Sequence, residues 1–123
     1  MNLSNAEEQL MNLIWGRGSA FMKDILDDYP EPKPAPTTIA TLLKRLIDKG
    51  ALSYRTFGNS REYYPIVDKS DYFAKKVNEM VKNFFNDSPS QFASFFTRET
   101  AMDTRQLESL KAIIEEQLKS KKP

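Results

Sequence analysis

The sequence predicts a mainly α fold with one small β-hairpin: three short helices and the hairpin, then three more helices. Three observations predict it. Apolar residues recur at helical spacing in six segments. Between Leu52 and Val67 the period changes to two, around turn residues Gly58, Asn59 and Ser60. Prolines at every second position from Pro30 to Pro36 separate the second and third helical segments. The change of character after Asp68 divides the chain into expected domains at 1–68 and 69–123.

The first helix is marked by its cap. Ser4 and Glu7 have the spacing of a capping box, in which each side chain satisfies a backbone N–H left unpaired at the helix start. Leu10, Met11, Ile14 and Trp15 then form one apolar stripe, and Gly16 and Gly18 are expected to stop it. A second helix is expected from Ala20 to Asp28, capped by Ser19, with Met22, Ile25 and Leu26 inward. The four prolines that follow favour an extended connection, either a stiff spacer or a ligand for an SH3-type domain.

The third helix has the clearest pattern. Thr37 or Thr38 is expected to cap it, and Ile39, Leu42, Leu43, Leu46 and Ile47 lie on one face. Gly50 suits a left-handed C-terminal position, with Lys49 placed against the negative helix end. Opposite the stripe fall Thr37, Thr41, Lys44 and Asp48, with Thr38 and Arg45 beside them. The hairpin strands are expected at Leu52–Phe57 and Arg61–Val67, with Pro65 at an edge or strand end because it has no N–H to donate.

Past Asp68, Tyr72, Phe73, Val77, Met80, Val81, Phe84 and Phe85 make another helical stripe. Asp87 or Ser88 before Pro89 reads as the cap of a short helix carrying Phe92, Phe95 and Phe96. Asp103 and Gln106 form a second capping box, opening a last helix with Leu107, Leu110, Ile113, Ile114 and Leu118.

Composition narrows the chemistry. The 123 residues contain neither Cys nor His, which removes disulfides, thiolate or imidazole zinc sites, Cys nucleophiles and Ser-His-Asp triads. No metal set and no cofactor motif is read, and the carboxylate pairs Asp27–Asp28 and Glu115–Glu116 fall on polar helix faces, so an enzyme is not expected. No apolar run approaches a membrane span, and Met1 opens onto polar residues, so a cytoplasmic protein is the expectation. The net charge of +1 conceals a local imbalance: residues 1–36 carry −3, whereas residues 37–61 carry +4. A basic stretch with an acidic flank suggests a face that meets an anion, although ordinary surface fluctuation produces the same numbers.

Three helices followed by a two-stranded hairpin is the element order of a winged helix-turn-helix. In that arrangement the third helix enters the major groove of DNA and the hairpin touches the neighbouring backbone. Thr37, Thr38, Thr41, Lys44 and Arg45 are the candidate base and phosphate contacts on the helix. Arg55, Asn59, Ser60 and Arg61 are the positioning contacts at the wing. The same topology also serves as a protein-interaction adaptor, and helix 3 also fits a merely solvated amphipathic helix.

The run APTTIATLLKRLIDKGAL from Ala35 to Leu52, containing T-x-x-x-L-L-x-R-L-x-x-K-G from Thr38 to Gly50, resembles the penicillinase and methicillin-resistance repressor family. The wing G-x-S-R-E-Y-Y-P at Gly58–Pro65 and SDYF at Ser70–Phe73 extend the resemblance over nearly the whole chain. It implies a dimeric repressor of β-lactamase or resistance-type genes, with an N-terminal reader of dyad-symmetric operators and a C-terminal helical dimerisation domain. Copper-responsive relatives carry a Cys-rich C-terminal motif that this chain lacks. The resemblance further implies an inducing protease as a partner. The family's Asn-Phe cleavage bond aligns with Phe95–Phe96, where the Asn is missing, so these two residues are read either as a cleavage site or as core and interface aromatics.

Dimerisation also follows from the aromatic load. Each buried aromatic carries about 150–250 Å² of surface, and a segment as short as 69–123 hides only ~60 % of what its unfolded chain exposes. Tyr72, Phe73, Val77, Met80, Val81, Phe84, Phe85, Phe92, Phe95, Phe96, Leu107, Leu110 and Ile114 are therefore the candidate dimerisation residues. The alternative is that the aromatics pack on the same chain.

Overall fold

In the computed structural model, residues 1–122 are described, and they form six helices and a three-stranded antiparallel sheet. In chain order these are α1 (Asn5–Arg17), β1 (Ala20–Phe21), α2 (Met22–Asp28), α3 (Pro36–Asp48), β2 (Leu52–Phe57), β3 (Ser60–Pro65), α4 (Lys69–Phe84), α5 (Pro89–Glu99) and α6 (Thr104–Lys121). Two compact units are distinguished, Met1–Ala74 and the residues from Lys75 onward. The division falls inside α4 instead of between Asp68 and Lys69. No helix among the described residues is long and apolar enough to cross a membrane.

The capping box of α1 is formed: the Glu7 backbone N–H donates to Ser4 Oγ at 3.2 Å and the Ser4 N–H to Glu7 Oε1 at 2.7 Å. The helix continues through Gly16 and ends at Gly18, whose φ of +84° is a value that glycine adopts without a Cβ clash. Its stripe, Leu10, Met11 and Ile14, is fully buried with Ile25, Ile39, Leu43, Leu46 and Leu52. Truncating one of these leucines to alanine would cost about 2–5 kcal/mol. Arg17 clamps α1 to α2 through a bidentate pair with Asp28, and Asp24 lies 3.7 Å away. That guanidinium holds the Asp28 carboxyl below its usual range.

Three local expectations are corrected. The second helix begins at Met22, not Ala20, and Ser19 does not cap it. Ala20 and Phe21 instead pair with Tyr63 and Glu62 of β3, and the Asp24 carboxylate accepts from the Phe21 N–H at 3.0 Å. The hairpin is thus the larger part of a sheet of order β1-β3-β2. Neither Thr37 nor Thr38 caps α3: the cap is Ala35, and Pro36 occupies the first helical position, where its missing N–H leaves no intrahelical bond unmade. The second hairpin strand is Ser60–Pro65, not Arg61–Val67, and Pro65 closes it opposite Leu52.

The start of α4 belongs to the first unit. Asp68 accepts from the N–H groups of Ser70 and Asp71, and Trp15 Nε1 donates to the Val67 carbonyl at 2.9 Å. Tyr72 and Phe73, expected among the dimerisation residues, pack against Trp15 with ring centroids 5.9 Å away in each case. Tyr72 is buried there and donates its hydroxyl to Glu8. Only 7 % of it remains exposed.

The second unit has little interior of its own. Ser88 accepts from the Gln91 N–H to cap α5, and Asp103 and Gln106 form the capping box of α6. Phe85 meets Phe92 and Phe95 at 5.4 and 5.3 Å, and Phe92 stacks on Phe96 at 6.0 Å. Among its described large apolar residues only Val81 is buried.

Candidate nucleic-acid interface

Burying the Ile39, Leu42, Leu43 and Leu46 face of α3 turns the other face to water. Thr37, Thr38, Ala40, Thr41, Lys44, Arg45 and Asp48 are all exposed. The row is not uniformly polar. The Thr41 hydroxyl donates back to the Thr37 carbonyl at 3.0 Å, and Lys44 meets Asp48 at 3.2 Å, one turn further on. Both partners of that ion pair stand well out in solvent, so it contributes little to stability and leaves the ammonium available.

The far end of α3 is anchored more firmly. Glu7, only 2 % exposed, accepts from Lys49 Nζ at 2.7 Å, and the same ammonium donates to the Asn2 carbonyl at 3.0 Å. Burial alone would push the Glu7 carboxyl up. Lys49 and the Ser4 donors outweigh it and hold the group below its usual value. Gly50, at φ +80°, then turns the chain into β2.

The wing places its arginines on opposite faces. In the β2–β3 register Arg55 lies opposite Glu62 and Thr56 opposite Arg61, and successive strand residues alternate sides. Arg55 therefore shares a face with Glu62, which it approaches at 3.5 Å, and stands over the Tyr64 ring at 4.6 Å. Arg61 sits on the face toward α3, over the Tyr54 ring at 4.3 Å. A cleft of about 370 Å³ is lined jointly by Ala40, Lys44, Asp48, Tyr54 and Arg61. The tip is a two-residue turn, Gly58–Asn59, closed by the Phe57–Ser60 pair; Gly58 has φ +58°, which suits the first central position of a type II′ turn.

The candidate residues therefore separate into two groups. Thr37, Thr38, Thr41, Lys44, Arg45 and Arg61 lie on one side, with Asn59 and Ser60 at the tip, whereas Arg55 faces away. The sequence reading overlooked Ala40, an exposed residue in the outward row of α3. It also overlooked Lys23, which lines a second cleft of about 700 Å³ with Asn59, Ser60 and Arg61. Ala40 could have been found from its 100° spacing to Thr37 and Thr41. Lys23 could not, because its neighbourhood depends on the pairing of β1 with β3. Among the described residues no three Asp or Glu side chains gather closely enough to hold a metal ion.

A helix-turn-helix whose second helix turns hydroxyls and cations to solvent, beside a basic hairpin, is a winged-helix domain of the nucleic-acid-binding type. The sequence model of the penicillinase repressor family matches residues 3–116. The chain belongs to that family, whose members are transcriptional repressors and not enzymes. It is 30 % identical over 121 residues to the penicillinase repressor of Bacillus licheniformis, covering 98 % of this chain and 94 % of that one. The solution structure of the DNA-binding domain of the repressor BlaI superposes with a TM-score of 0.52 at 36 % identity, over 58 % of this chain and 88 % of that domain. The Bacillus licheniformis BlaI monomeric form in complex with the blaP half-operator gives a TM-score of 0.50 at 36 % identity, over 58 % of this chain and 89 % of that one.

Proposed function

We propose that the protein is a homodimeric transcriptional repressor that binds a dyad-symmetric DNA operator, with α3 in the major groove and the wing on the adjacent backbone. The observation that carries this reading is the α3 surface: Thr37, Thr38, Thr41, Lys44 and Arg45 are exposed together, with Arg61 of the wing on the same side. The relative solved with a half-operator supports the assignment of DNA as the partner. Its regulated genes are of the β-lactamase or resistance type, as the family name suggests.

Self-association is supported by the second unit, where Val77, Met80, Phe84, Phe95, Phe96, Leu107, Ile113, Ile114 and Leu118 are each 37–78 % exposed. Apolar exposure on that scale in so small a unit favours cover by a second copy. Two α3 helices would then meet half-sites about 34–36 Å apart or a multiple of that. An inducing protease acting on the second unit, with Phe95–Phe96 in α5 as the candidate bond, is the route by which repression is relieved in a cytoplasmic setting. The test is titration of the protein with dyad-containing duplexes from its own upstream region, with the mass of the complex measured in parallel. Salt-sensitive binding below micromolar by a two-chain species is expected. Absence of such binding, or a strictly one-chain complex, would overturn the proposal.

A further inference from the structure

We infer that α3 reads thymine 5-methyl groups through Ala40 and Thr41, an assignment that rests on the repressor reading above and specifies its substrate more closely. The outward row of α3 is Thr37, Ala40, Thr41 and Lys44, at i, i+3, i+4 and i+7, all exposed. Ala40 offers only its Cβ. The one donor of Thr41 is spent on the Thr37 carbonyl at 3.0 Å, and a hydroxyl turned back onto its own helix leaves the γ-methyl as the outward group. The centre of the row is therefore two adjacent methyls.

The residues that read purines by paired hydrogen bonds are Arg or Lys for guanine and Asn or Gln for adenine. None of them occurs between Pro36 and Leu43, and the first long cations are Lys44 and Arg45, a turn beyond Ala40. The only apolar feature that a base edge presents in the major groove is the thymine methyl. A methyl pair at the centre of the helix, with Lys44, Tyr54 and Arg61 around the same cleft, matches a thymine flanked by phosphates and hydrogen-bonding edges.

The experiment selects the tightest duplex for the full-length protein from a random pool, then replaces each thymine in it by deoxyuridine, which removes only the 5-methyl group. One or two thymines per half-site should show about fourfold weaker binding, the factor that follows from leaving one methyl exposed. In Thr41→Ser the hydroxyl and its bond to Thr37 are retained and the methyl is lost. In Ala40→Gly the Cβ is lost, at the cost of a weaker helix interior, so thermal unfolding of both variants is recorded alongside. Disappearance of the uracil penalty at one thymine in one of these variants, with the other penalties kept, supports the assignment. Equal binding of thymine and uracil at every position, or penalties unchanged in both folded variants, overturns it while the repressor reading stands. Failure to select any duplex overturns that reading and this one with it.

Discussion

Glu7 and Lys49, 42 positions apart in sequence, form a 2.7 Å ion pair that ties the first turn of α1 to the C-terminal end of α3. One partner is buried and the other is partly in water, so removing Lys49 strands a carboxylate that the interior cannot solvate. The Glu7 Oε2 atom already lacks a hydrogen-bond partner. Lys49→Ala should cost about 2 kcal/mol, less than breaking a fully buried pair because the ammonium is itself half in solvent. The pH dependence has a definite sign. Because the folded state holds the Glu7 carboxyl below its ordinary 4.5, the unfolded chain takes up the proton first. The stabilisation is present above that value and is lost as the pH falls through the lower folded value. Urea unfolding between pH 7 and pH 3 should show this acid limb in the wild type and a flatter one in Lys49→Ala.

Tyr72 supplies the opposite limb. Burial first, and then its hydrogen bond to Glu8, push the phenol up to about 12 from an ordinary 10. Its contribution is complete below pH 10 and disappears as the pH rises through 12. Absorbance titration should find one tyrosine ionising last, and Tyr72→Phe should remove that step at a cost of about 1 kcal/mol near neutrality. A fragment ending at Ala74 should also unfold at higher urea than one ending at Asp68, since the shorter piece loses both aromatic partners of Trp15.

These two contacts mark the limit of what the sequence discloses. The caps at Ser4, Ser88 and Asp103 were legible because each is closed within three residues. The α3 stripe and Gly50 were legible because helical period and left-handed φ are local properties. Ser19 has the side chain of a cap but does not act as one, because Ala20 and Phe21 answer to a strand some 40 residues away, which no local rule weighs. Arg55 and Arg61 looked equivalent as flanks of one turn, and only the register, Thr56 opposite Arg61, separates them. The apolar stripe of α4 read as one surface, yet Tyr72 lies in the first unit while Val77 and Met80 lie in the second.

That register gives unequal roles to the wing arginines. Arg61 faces α3 and the cleft it shares with Lys44, so Arg61→Ala should weaken binding to all duplexes alike and reduce the slope of log affinity against log salt by about 1. Arg55 is engaged by Glu62 on the far face, so Arg55→Ala should leave both quantities nearly unchanged. Affinities of the two variants measured across a salt series check the pair. Equal slopes for Arg55→Ala and Arg61→Ala would contradict the facing deduced from the strands.

Lys44 and Arg45 should behave differently from Arg61. Each projects from the outward side of α3 one turn beyond the threonines, within reach of base edges when the helix lies in a groove. If the contact is to a guanine edge, Lys44→Ala or Arg45→Ala should cost about 1–3 kcal/mol at particular base positions and relax preference there. Binding competition against single-base variants of the selected duplex separates this from a uniform loss.

The second unit should fail differently from the first. Phe96 is 41 % exposed, Leu107 41 % and Ile114 56 %, and together with Phe92 and Leu110 they line an apolar groove of about 650 Å³ between α5 and α6. Placing a carboxylate there, as in Ile114→Asp, costs the isolated chain little because the site already meets water. In a dimer that covers the groove, the same charge would be desolvated without a partner, at several kcal/mol for the two copies. Sedimentation should therefore show Ile114→Asp shifted toward one-chain species while the near-ultraviolet signal of Trp15 in the first unit is unchanged. Binding to a full dyad should weaken more than binding to a half-site, because only the former draws on the link between two copies. An unchanged dimer mass in this variant would mean that the groove lies outside the contact between subunits.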